Sequence, residues 1–386
     1  MKHQIGFVSG SRSDYGLLAP LIRSCAEKQE VFSTIVYLTG EHLSERFTNP
    51  KKIAGCVYRE IPSLVMGNDS LATAESISKG LLGFSQVFGS DRPVCLIILG
   101  DRYESYAAAI AALIHRIPIA HIHGGELTHG AFDDAIRHSI SKMSAKHFAS
   151  EQEYQKRLIR MGENPESVHV VGSLGLENLR HCTVMSREEV ESNLGIYFRE
   201  VVLLVTYHPE TLRLDYGLGM LENLLTALDG FPSCTIIFTG ANSDPGSVAI
   251  NKSVKKFCNN RANAIFVQSL GEELYVNVLR YSDVVLGNSS SGMTEAPGLS
   301  KPVINIGDRQ AGRIRKEGVF DTKGDVASLK KLIQQCINRG LISDPDDSHY
   351  SSESLKTSEL IIAKLLGWIE SGCPRFDFYD DVCGKK

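Results

Sequence analysis

Acidic, basic and histidine side chains cluster directly after apolar runs between Leu99 and Arg137. Three stretches carry them: Gly100-Asp101-Arg102-Tyr103-Glu104, His121-Ile122-His123-Gly124-Gly125-Glu126 and Asp133-Asp134-Ala135-Ile136-Arg137-His138. Charged residues mostly lie on solvated surfaces, but an open α/β sheet binds its ligands at the carboxyl ends of its strands. Clustered carboxylates keep one acid protonated while another is ionised. The pattern therefore predicts acid/base catalysis by Asp101, Glu126 and Asp133.

The histidines and arginines of the first half allow further interpretations. His123 is a candidate proton carrier, and His42 likewise lies just past the end of a predicted strand. His121 and His123 would share one face of a strand and could bind zinc. Because no cysteine or further spaced ligand accompanies them, no metal ion is expected, and His121 is expected to be buried and hydrogen-bonded. Arg102 and Arg137 could instead form structural ion pairs with the neighbouring carboxylates.

A second polar cluster, in the other half of the chain, predicts an anion site. The loop Asn288-Ser289-Ser290-Ser291-Gly292 separates an apolar strand from a predicted helix, where N–H groups and hydroxyls suit a phosphate. Glu295 could accept both hydroxyls of a ribose. The alternative is a serine N-cap with Glu295 as a first-turn acid. Because Arg309, Arg313 and His208 follow other strands, a nucleoside diphosphate is favoured.

Alternating strands and helices must position these groups. In the first half the predicted strands are Ile5–Val8, Val31–Leu38, Val57–Ile61, Val94–Leu99, Pro118–His121, 148–150 and Val168–Val171. A polar turn, 9–16, with Arg12 suited to a phosphate, precedes a helix over Leu17–Glu27. The alternation predicts a doubly wound parallel sheet with right-handed crossovers.

The same alternation restarts after a polar stretch that marks a domain boundary. The strands predicted in the second half are Val201–Thr206, Thr235–Thr239, Ala264–Val267, Val284–Gly287 and Val303–Ile306, with a helix beginning at Met293. We therefore predict two Rossmann-like domains that face a cleft. The first comprises residues 1–173 and a C-terminal helix at about 366–386. The second comprises residues 174–365.

Composition limits the function classes. The chain has 386 residues, 42% of them hydrophobic, and a formal net charge of −4, which argues against a nucleic-acid partner. The nine cysteines are scattered without a CxxC pair and indicate thiols in a reducing compartment. Membrane association is not expected, since no segment approaches the roughly 18 apolar residues of a membrane span. The N-terminal apolar run is too short for a signal peptide, so a cytoplasmic location is expected.

Seven motifs together resemble the UDP-N-acetylglucosamine 2-epimerases, specifically the hydrolysing branch that serves sialic-acid and legionaminic-acid biosynthesis. In chain order they are Gly10-Ser11-Arg12-Ser13-Asp14-Tyr15-Gly16, the three stretches between Gly100 and Ile140, His208-Pro209-Glu210-Thr211, Gly287-Asn288-Ser289-Ser290-Ser291-Gly292 and Ile306-Gly307-Asp308-Arg309-Gln310-Ala311-Gly312-Arg313. The resemblance covers nearly the whole chain. It implies a GT-B-like fold, a UDP-sugar substrate bound mainly by the second domain, a homodimer or homotetramer, and no cofactor.

The resemblance also implies roles for individual residues. The residues that would hold the nucleotide are Arg12, Arg102, His208, Asn242, Ser289, Ser290, Glu295 and Arg309, beside Ser291, Gly292 and Arg313 of the same motifs. Asp101 and Asp133 would be catalytic, with His42 nearby. Many relatives have a catalytic glutamate where this chain has His123, so either His123 or Glu126 would be the third catalytic group.

The expected reaction is hydrolytic 2-epimerisation of UDP-N-acetylglucosamine to N-acetylmannosamine and UDP, through elimination of UDP to a glycal and rehydration. Three alternatives remain open at this point. The enzyme could act on a UDP- or GDP-linked 2,4-diacetamido-trideoxyhexose, it could be a glycosyltransferase of the same fold, or it could be a non-catalytic nucleotide-sugar sensor. A non-hydrolysing epimerase fits the motifs less well.

Overall fold

Two parallel β-sheets organise the chain, one in each of two compact units. The computed structural model describes residues 2–44, 51–67, 69–259, 261–340 and 356–380. The first unit comprises Met1–Glu126, Asp133–Glu177 and Leu355–Lys386, and the second comprises Leu127–Phe132 and Asn178–Ser354. The prediction of two parallel-sheet α/β domains is confirmed.

The first sheet has seven strands in the order β3-β2-β1-β4-β5-β6-β7. They are β1 (His3–Ser9), β2 (Phe32–Thr39), β3 (Cys56–Ile61), β4 (Cys95–Leu99), β5 (Ile119–Ile122), β6 (Lys146–Ala149) and β7 (Val168–Val170). All pairings are parallel. Apolar strands such as β4 are buried along their whole length, as expected of a sheet covered on both faces. The strand order reverses between β1 and β4, where ligands bind in such sheets.

In the described part of the chain, six α-helices connect or follow these strands. They are α1 (Arg12–Glu27), α2 (Ser70–Ser90), α3 (Tyr103–Ile114), α4 (Asp133–Met143), α5 (Gln152–Arg160) and α6 (Leu174–His181). Helix α1 begins at Arg12 and not at Leu17, so most of the predicted polar turn is helical. The reason is a capping box, in which the Ser11 hydroxyl accepts from the N–H of Asp14 and the Asp14 carboxylate accepts from the N–H of Ser11.

The second sheet has the order β10-β9-β8-β11-β12-β13 and reverses between β8 and β11. Its strands are β8 (Val201–Thr206), β9 (Cys234–Thr239), β10 (Ala264–Val267), β11 (Val284–Gly287), β12 (Val303–Ile306) and β13 (Val319–Thr322). Its helices are α7 (Arg187–Leu194), α8 (Leu218–Leu228), α9 (Ser247–Cys258), α10 (Gly271–Tyr281), α11 (Glu295–Gly298) and α12 (Val326–Arg339). The helix predicted from Met293 begins two residues later, at Glu295, and α11 has only four residues, which include Pro297.

The chain returns to the first unit as α13 (Thr357–Glu370), which packs against α1. The units therefore differ from the predicted boundaries. The C-terminal segment of the first unit begins before α13 and not at about residue 366. The second unit also includes Leu127–Phe132, in which Gly130 lies against the backbone of Arg309. The predicted domains also include residues 341–355 and 381–386, which lie outside the described residues.

Two negative findings concern the described residues alone. None of their helices is long and apolar enough to cross a membrane. None of their eight cysteines forms a disulfide.

Candidate functional site

The end of β4 meets the start of α1 and the end of β2 around a buried ion pair. The Arg102 guanidinium donates to both oxygens of Glu104, from Nε at 3.2 Å and Nη2 at 3.1 Å, and lies 3.7 Å from Glu41. Gly40 adopts φ +59°, and a Cβ there would lie 2.6 Å from Oε1 of Glu104. The ion-pair interpretation therefore applies to Arg102, because Glu104 holds its guanidinium in place.

His42 follows β2 and is buried beside β1. The Ser9 hydroxyl donates to the carbonyl of Ser11 at 3.1 Å, so the His42 ring donates to that hydroxyl from Nε2 at 2.8 Å. Burial lowers the pKa of His42 to about 4. His42 is therefore neutral near pH 7, in the tautomer with the proton on Nε2. Arg12, at the first position of α1, is half-buried.

Three predicted acids surround one buried guanidinium. Arg137, on α4, forms an ion pair with Asp101 and donates to Oε2 of Glu126 at 3.4 Å. Burial acts to lower the pKa of Arg137, but the charges of Asp101, Glu126 and Asp133 outweigh it and raise that pKa above its usual value. The structure thus brings these carboxylates, from the ends of β4 and β5 and the start of α4, around one cation.

His123 lies immediately after β5 in a left-handed backbone conformation, with φ +62°. For a residue other than glycine this conformation costs roughly 1–2 kcal/mol. Both of its peptide groups are held, since its N–H donates to the carbonyl of Phe148 at 2.9 Å and its carbonyl accepts from Arg137 at 2.9 Å. Nδ1 of its ring lies 3.7 Å from Oε1 of Glu126. The backbone thus keeps the imidazole beside the carboxylate cluster.

His121 is engaged at both ring nitrogens. Nε2 donates to the carbonyl of Gly100 at 2.7 Å and Nδ1 lies 3.0 Å from the Ser141 hydroxyl. Because β5 ends at Ile122, His121 and His123 do not share the face of one strand. Among the residues that the structure describes, no group of three or more His, Cys, Asp or Glu side chains is suited to hold a metal ion.

The burial of His121 predicts an acid-sensitive stability. Burial lowers its pKa to about 3, so between pH 6.5 and pH 4 the unfolded chain binds a proton that the folded chain does not. The free energy of unfolding should therefore decrease as the pH is lowered through this window, by up to about 1.4 kcal/mol per pH unit for this residue. Urea unfolding of wild type and His121→Gln between pH 7.5 and pH 4.5 checks this. Equal slopes for the two proteins would contradict it.

In the second unit, the reversal between β8 and β11 is built on Asn288. Its side chain donates to the carbonyl of His208 at 2.8 Å and accepts from the N–H of His208 at 2.7 Å. Nδ1 of His208 accepts from the N–H of Asn242, after β9, at 3.4 Å. This contact favours the tautomer with the proton on Nε2. Residues following β8, β9 and β11 are thus joined in one hydrogen-bonded group.

The loop 288–292 is held by local hydrogen bonds and is followed by only a short helix, α11. The Ser289 side chain accepts from the N–H of Ser291 at 3.4 Å, and a 3₁₀ turn covers Ser290–Gly292. Because α11 is so short, the helix-dipole contribution predicted for an anion here is weak. The hydroxyl of Tyr275 donates to Ser291. Burial, with a smaller contribution from the charge of Glu295, raises the pKa of Tyr275, so Glu295 lies near this loop.

The loop after β12 completes this cluster. Oε1 of Glu210 accepts from the N–H groups of Asp308 and Arg309, at 2.8 Å and 3.2 Å, and burial raises the pKa of Glu210. The Arg309 side chain donates to the carbonyl of Asn288 at 3.4 Å. Arg313 donates to the carbonyl of Leu127 at 3.1 Å, within the same unit.

The predicted site residues therefore form two groups, one in each unit. The acids, His123, Arg12, Arg102 and His42 belong to the first unit. The remaining predicted substrate-binding residues belong to the second.

Sequence reasoning missed three contributors to these groups. Ser150, whose hydroxyl donates to Oε1 of Glu126 at 3.0 Å, directly follows β6, so the strand-end rule could have found it. Glu210 lies in the motif His208-Pro209-Glu210-Thr211, of which His208 alone is predicted to bind the substrate. Tyr275 lies inside α10, and no local signal marks it.

Comparison with known proteins places this geometry in a family. Residues 24–366 match the family described as UDP-N-acetylglucosamine 2-epimerase. The chain is 35% identical over 333 residues to the GDP/UDP-N,N'-diacetylbacillosamine 2-epimerase (hydrolyzing) of Campylobacter jejuni, covering 83% of this chain and 85% of that protein. It is 38% identical over 385 residues to the polysialic acid biosynthesis protein P7 of Escherichia coli, covering 98% and 97%.

A solved structure agrees in fold. The UDP-GlcNAc 2-epimerase of Neisseria meningitidis bound to UDP-GlcNAc superposes with a TM-score of 0.72 at 18% identity, covering 95% of this chain and 100% of that one. The profile match and the two sequence relatives extend over most of the chain. The chain therefore belongs to the UDP-N-acetylglucosamine 2-epimerase family.

Proposed function

We propose that this enzyme hydrolyses UDP-N-acetylglucosamine with inversion at C2, releasing N-acetylmannosamine and UDP. Family membership makes it a nucleotide-sugar 2-epimerase, and its relatives include proteins named as hydrolysing. One observation carries the proposal beyond the family: three carboxylates surround the buried guanidinium of Arg137, and the His123 ring lies 3.7 Å from one of them, Glu126. Such a group can take up and return protons without a metal ion.

The first step breaks the bond between C1 of the sugar and the diphosphate oxygen. The electron pair of that bond leaves with UDP, so the site must stabilise the departing negative charge. The residues proposed to do this are Arg12, Arg102, His208, Asn242, Ser289, Ser290, Ser291, Gly292, Arg309 and Arg313. Glu295 is proposed to accept the ribose hydroxyls.

Loss of UDP makes the C2 proton removable, and a base of the first unit accepts it. The electron pair of the C2–H bond becomes the C1=C2 double bond of a glycal. Water then adds across that bond. The water oxygen bonds to C1, and one proton of the water passes to a base of the site. C2 receives a proton on its opposite face, which inverts the configuration of C2. Asp101 and Asp133 are proposed as catalytic acids, with His42 beside them.

The similarity to the Campylobacter relative favours a second candidate substrate. That protein is named as acting on GDP/UDP-N,N'-diacetylbacillosamine, and the chemistry at C1 and C2 would be the same. The second candidate is therefore a hydrolysing 2-epimerase of a UDP- or GDP-linked 2,4-diacetamido-2,4,6-trideoxyglucose, which would serve legionaminic-type acids. The first candidate would serve sialic acid.

Proton NMR in D2O tests both candidates. The enzyme is incubated with each nucleotide sugar in turn, and the released sugar is analysed at C2. Release of N-acetylmannosamine deuterated at C2 from UDP-N-acetylglucosamine supports the first candidate. Deuterated product from the diacetamido substrate alone supports the second. Undeuterated sugar from both, or turnover only with an added sugar acceptor, would contradict an epimerase and indicate a glycosyltransferase.

Replacing Glu295 tests the nucleotide site. Glu295→Ala should weaken UDP binding about 100-fold or more, because two charge-assisted hydrogen bonds of about 1.5–3 kcal/mol each would be lost. Calorimetric titration with UDP measures this. Glu200→Ala, at an exposed position of the same unit, is the matched control and should bind as wild type does. Unchanged UDP affinity in Glu295→Ala would reduce Glu295 to a helix-start acid.

Assembly and location stay predictions. A homodimer or homotetramer is expected from the resemblance, and light scattering after size-exclusion chromatography checks it. A cytoplasmic location is expected from the sequence, and cell fractionation checks it.

A further inference from the structure

The two candidates for the third catalytic group, His123 and Glu126, differ in how the structure holds them. Each oxygen of the Glu126 carboxylate has its own side-chain donor. Oε1 accepts from the Ser150 hydroxyl at 3.0 Å and Oε2 accepts from Arg137 at 3.4 Å. The residue is 5% exposed. Glu126 is therefore bound within the protein, in a single orientation.

The His123 ring lies on the remaining side of this carboxylate. Its Nδ1 is 3.7 Å from Oε1 of Glu126, so a proton on Nδ1 faces a negative charge and Nε2 is the nitrogen directed away from Glu126. The left-handed backbone of His123 is one that glycine adopts without strain. Strained backbone that is held by tertiary contacts is frequent at functional sites, and here it keeps the imidazole beside Glu126.

We propose that His123 is the group that takes the proton from C2 of the sugar, and that Glu126 is a positioning residue oriented by Ser150 and Arg137. This assignment rests on the proposed function. After the C1–O electron pair has left with UDP, Nε2 of His123 accepts the C2 proton and the C–H electron pair forms the C1=C2 bond. The resulting imidazolium is stabilised through Nδ1–H by the Glu126 carboxylate. The arrangement Ser150–Glu126–His123 thus places a carboxylate behind a histidine base.

Chemical rescue tests the assignment. His123→Gly relieves the backbone strain and leaves space for a free imidazole. We expect kcat for sugar release to fall about 1000-fold, while the melting temperature is equal to or above that of wild type and UDP binding is retained. Added imidazole should restore kcat at least about 10-fold, with a pH dependence that follows the pKa of imidazole. The control His181→Gly, at an exposed position, should keep wild-type kcat and show no response to imidazole.

The reverse pattern would overturn the proposal. If Glu126 takes the proton, Glu126→Gly should be rescued by formate, and His123→Gly should retain most of its activity and ignore imidazole. Both variants are compared with wild type on the better of the two substrates. A wild type that releases no sugar from either substrate would refute the proposed function itself, and this result is distinct from a failed rescue in an active enzyme.

Ser150 supplies an independent readout of positioning. Ser150→Ala should lower kcat about 10-fold with little change in KM or in UDP binding, because Oε1 of Glu126 loses its donor. Ser150→Thr, which retains the hydroxyl, should restore kcat. Equal kcat in wild type and Ser150→Ala, or equal loss in the alanine and threonine variants, would contradict a positioning role.

Discussion

Asp101→Asn is expected to abolish sugar release while leaving UDP binding nearly intact. The substitution removes a negative charge next to Arg137 and an acid from the cluster that we propose to handle the C2 proton. Loss of an acid/base group lowers turnover by about 100- to 10,000-fold. Turnover by NMR and UDP affinity by calorimetry, measured on the same preparation, check the two halves of this prediction.

The stability of Asp101→Asn separates catalysis from folding. Arg137 keeps Glu126 and Asp133 as partners, so the free energy of unfolding should fall by only about 1–3 kcal/mol. Asp134→Asn is the control, since Asp134 lies beside the cluster with its side chain 27% exposed, 3.7 Å from His138. It should retain turnover. If Asp101→Asn loses UDP affinity together with turnover, Asp101 has a structural role.

Gly287→Ala is expected to unfold or severely weaken the second unit. Gly287 ends β11 with φ +125°, and a Cβ there would lie 1.9 Å from the carbonyl oxygen of Thr206. The neighbour is backbone of β8 and cannot rotate away. Strain and overpacking together should cost at least about 3 kcal/mol. Because Asn288 follows directly, UDP binding should also be lost.

Denaturant unfolding and calorimetry with UDP check the Gly287 prediction. Gly367→Ala is the matched control, since Gly367 lies in α13 and a Cβ there would contact nothing within 4 Å. That variant should be as stable as wild type or gain about 0.5–1 kcal/mol. A Gly287→Ala protein with wild-type stability and UDP affinity would show that the approach of β8 to β11 can relax.

The buried strands were predictable because their cores are uninterrupted apolar runs, such as Cys95–Leu99. The first turn of α1 was not, because Ser11 and Asp14 suggest a turn until their reciprocal capping is known. Strand β13 is not predicted from the sequence, because its four residues include Asp321 and do not form an apolar run. None of these residues is fully buried in the structure. Local composition identifies central strands better than edge strands.

The candidate site shows the same limit at the level of atoms. Asp101 and Glu126, which the sequence places after two different strands, both form ion pairs with Arg137. The strand order β4-β5-β6 determines which oxygens of these two carboxylates face Arg137. The same order brings Ser150 within reach of Glu126. The left-handed conformation of His123 has no signal in a stretch whose glycines are the expected residues for positive φ. It follows from tertiary contacts with Phe148 and Arg137.

The return of the chain to the first unit as α13 has a consequence for synthesis on the ribosome. The side chains of Ile361, Ile362, Leu365 and Trp368 belong to the same apolar core as β1 and α1. They are translated after the whole of the second sheet. The N-terminal strands therefore emerge long before the residues that cover them, and the second unit is translated in full before the first can close its core. The order of completion is the reverse of the order of translation.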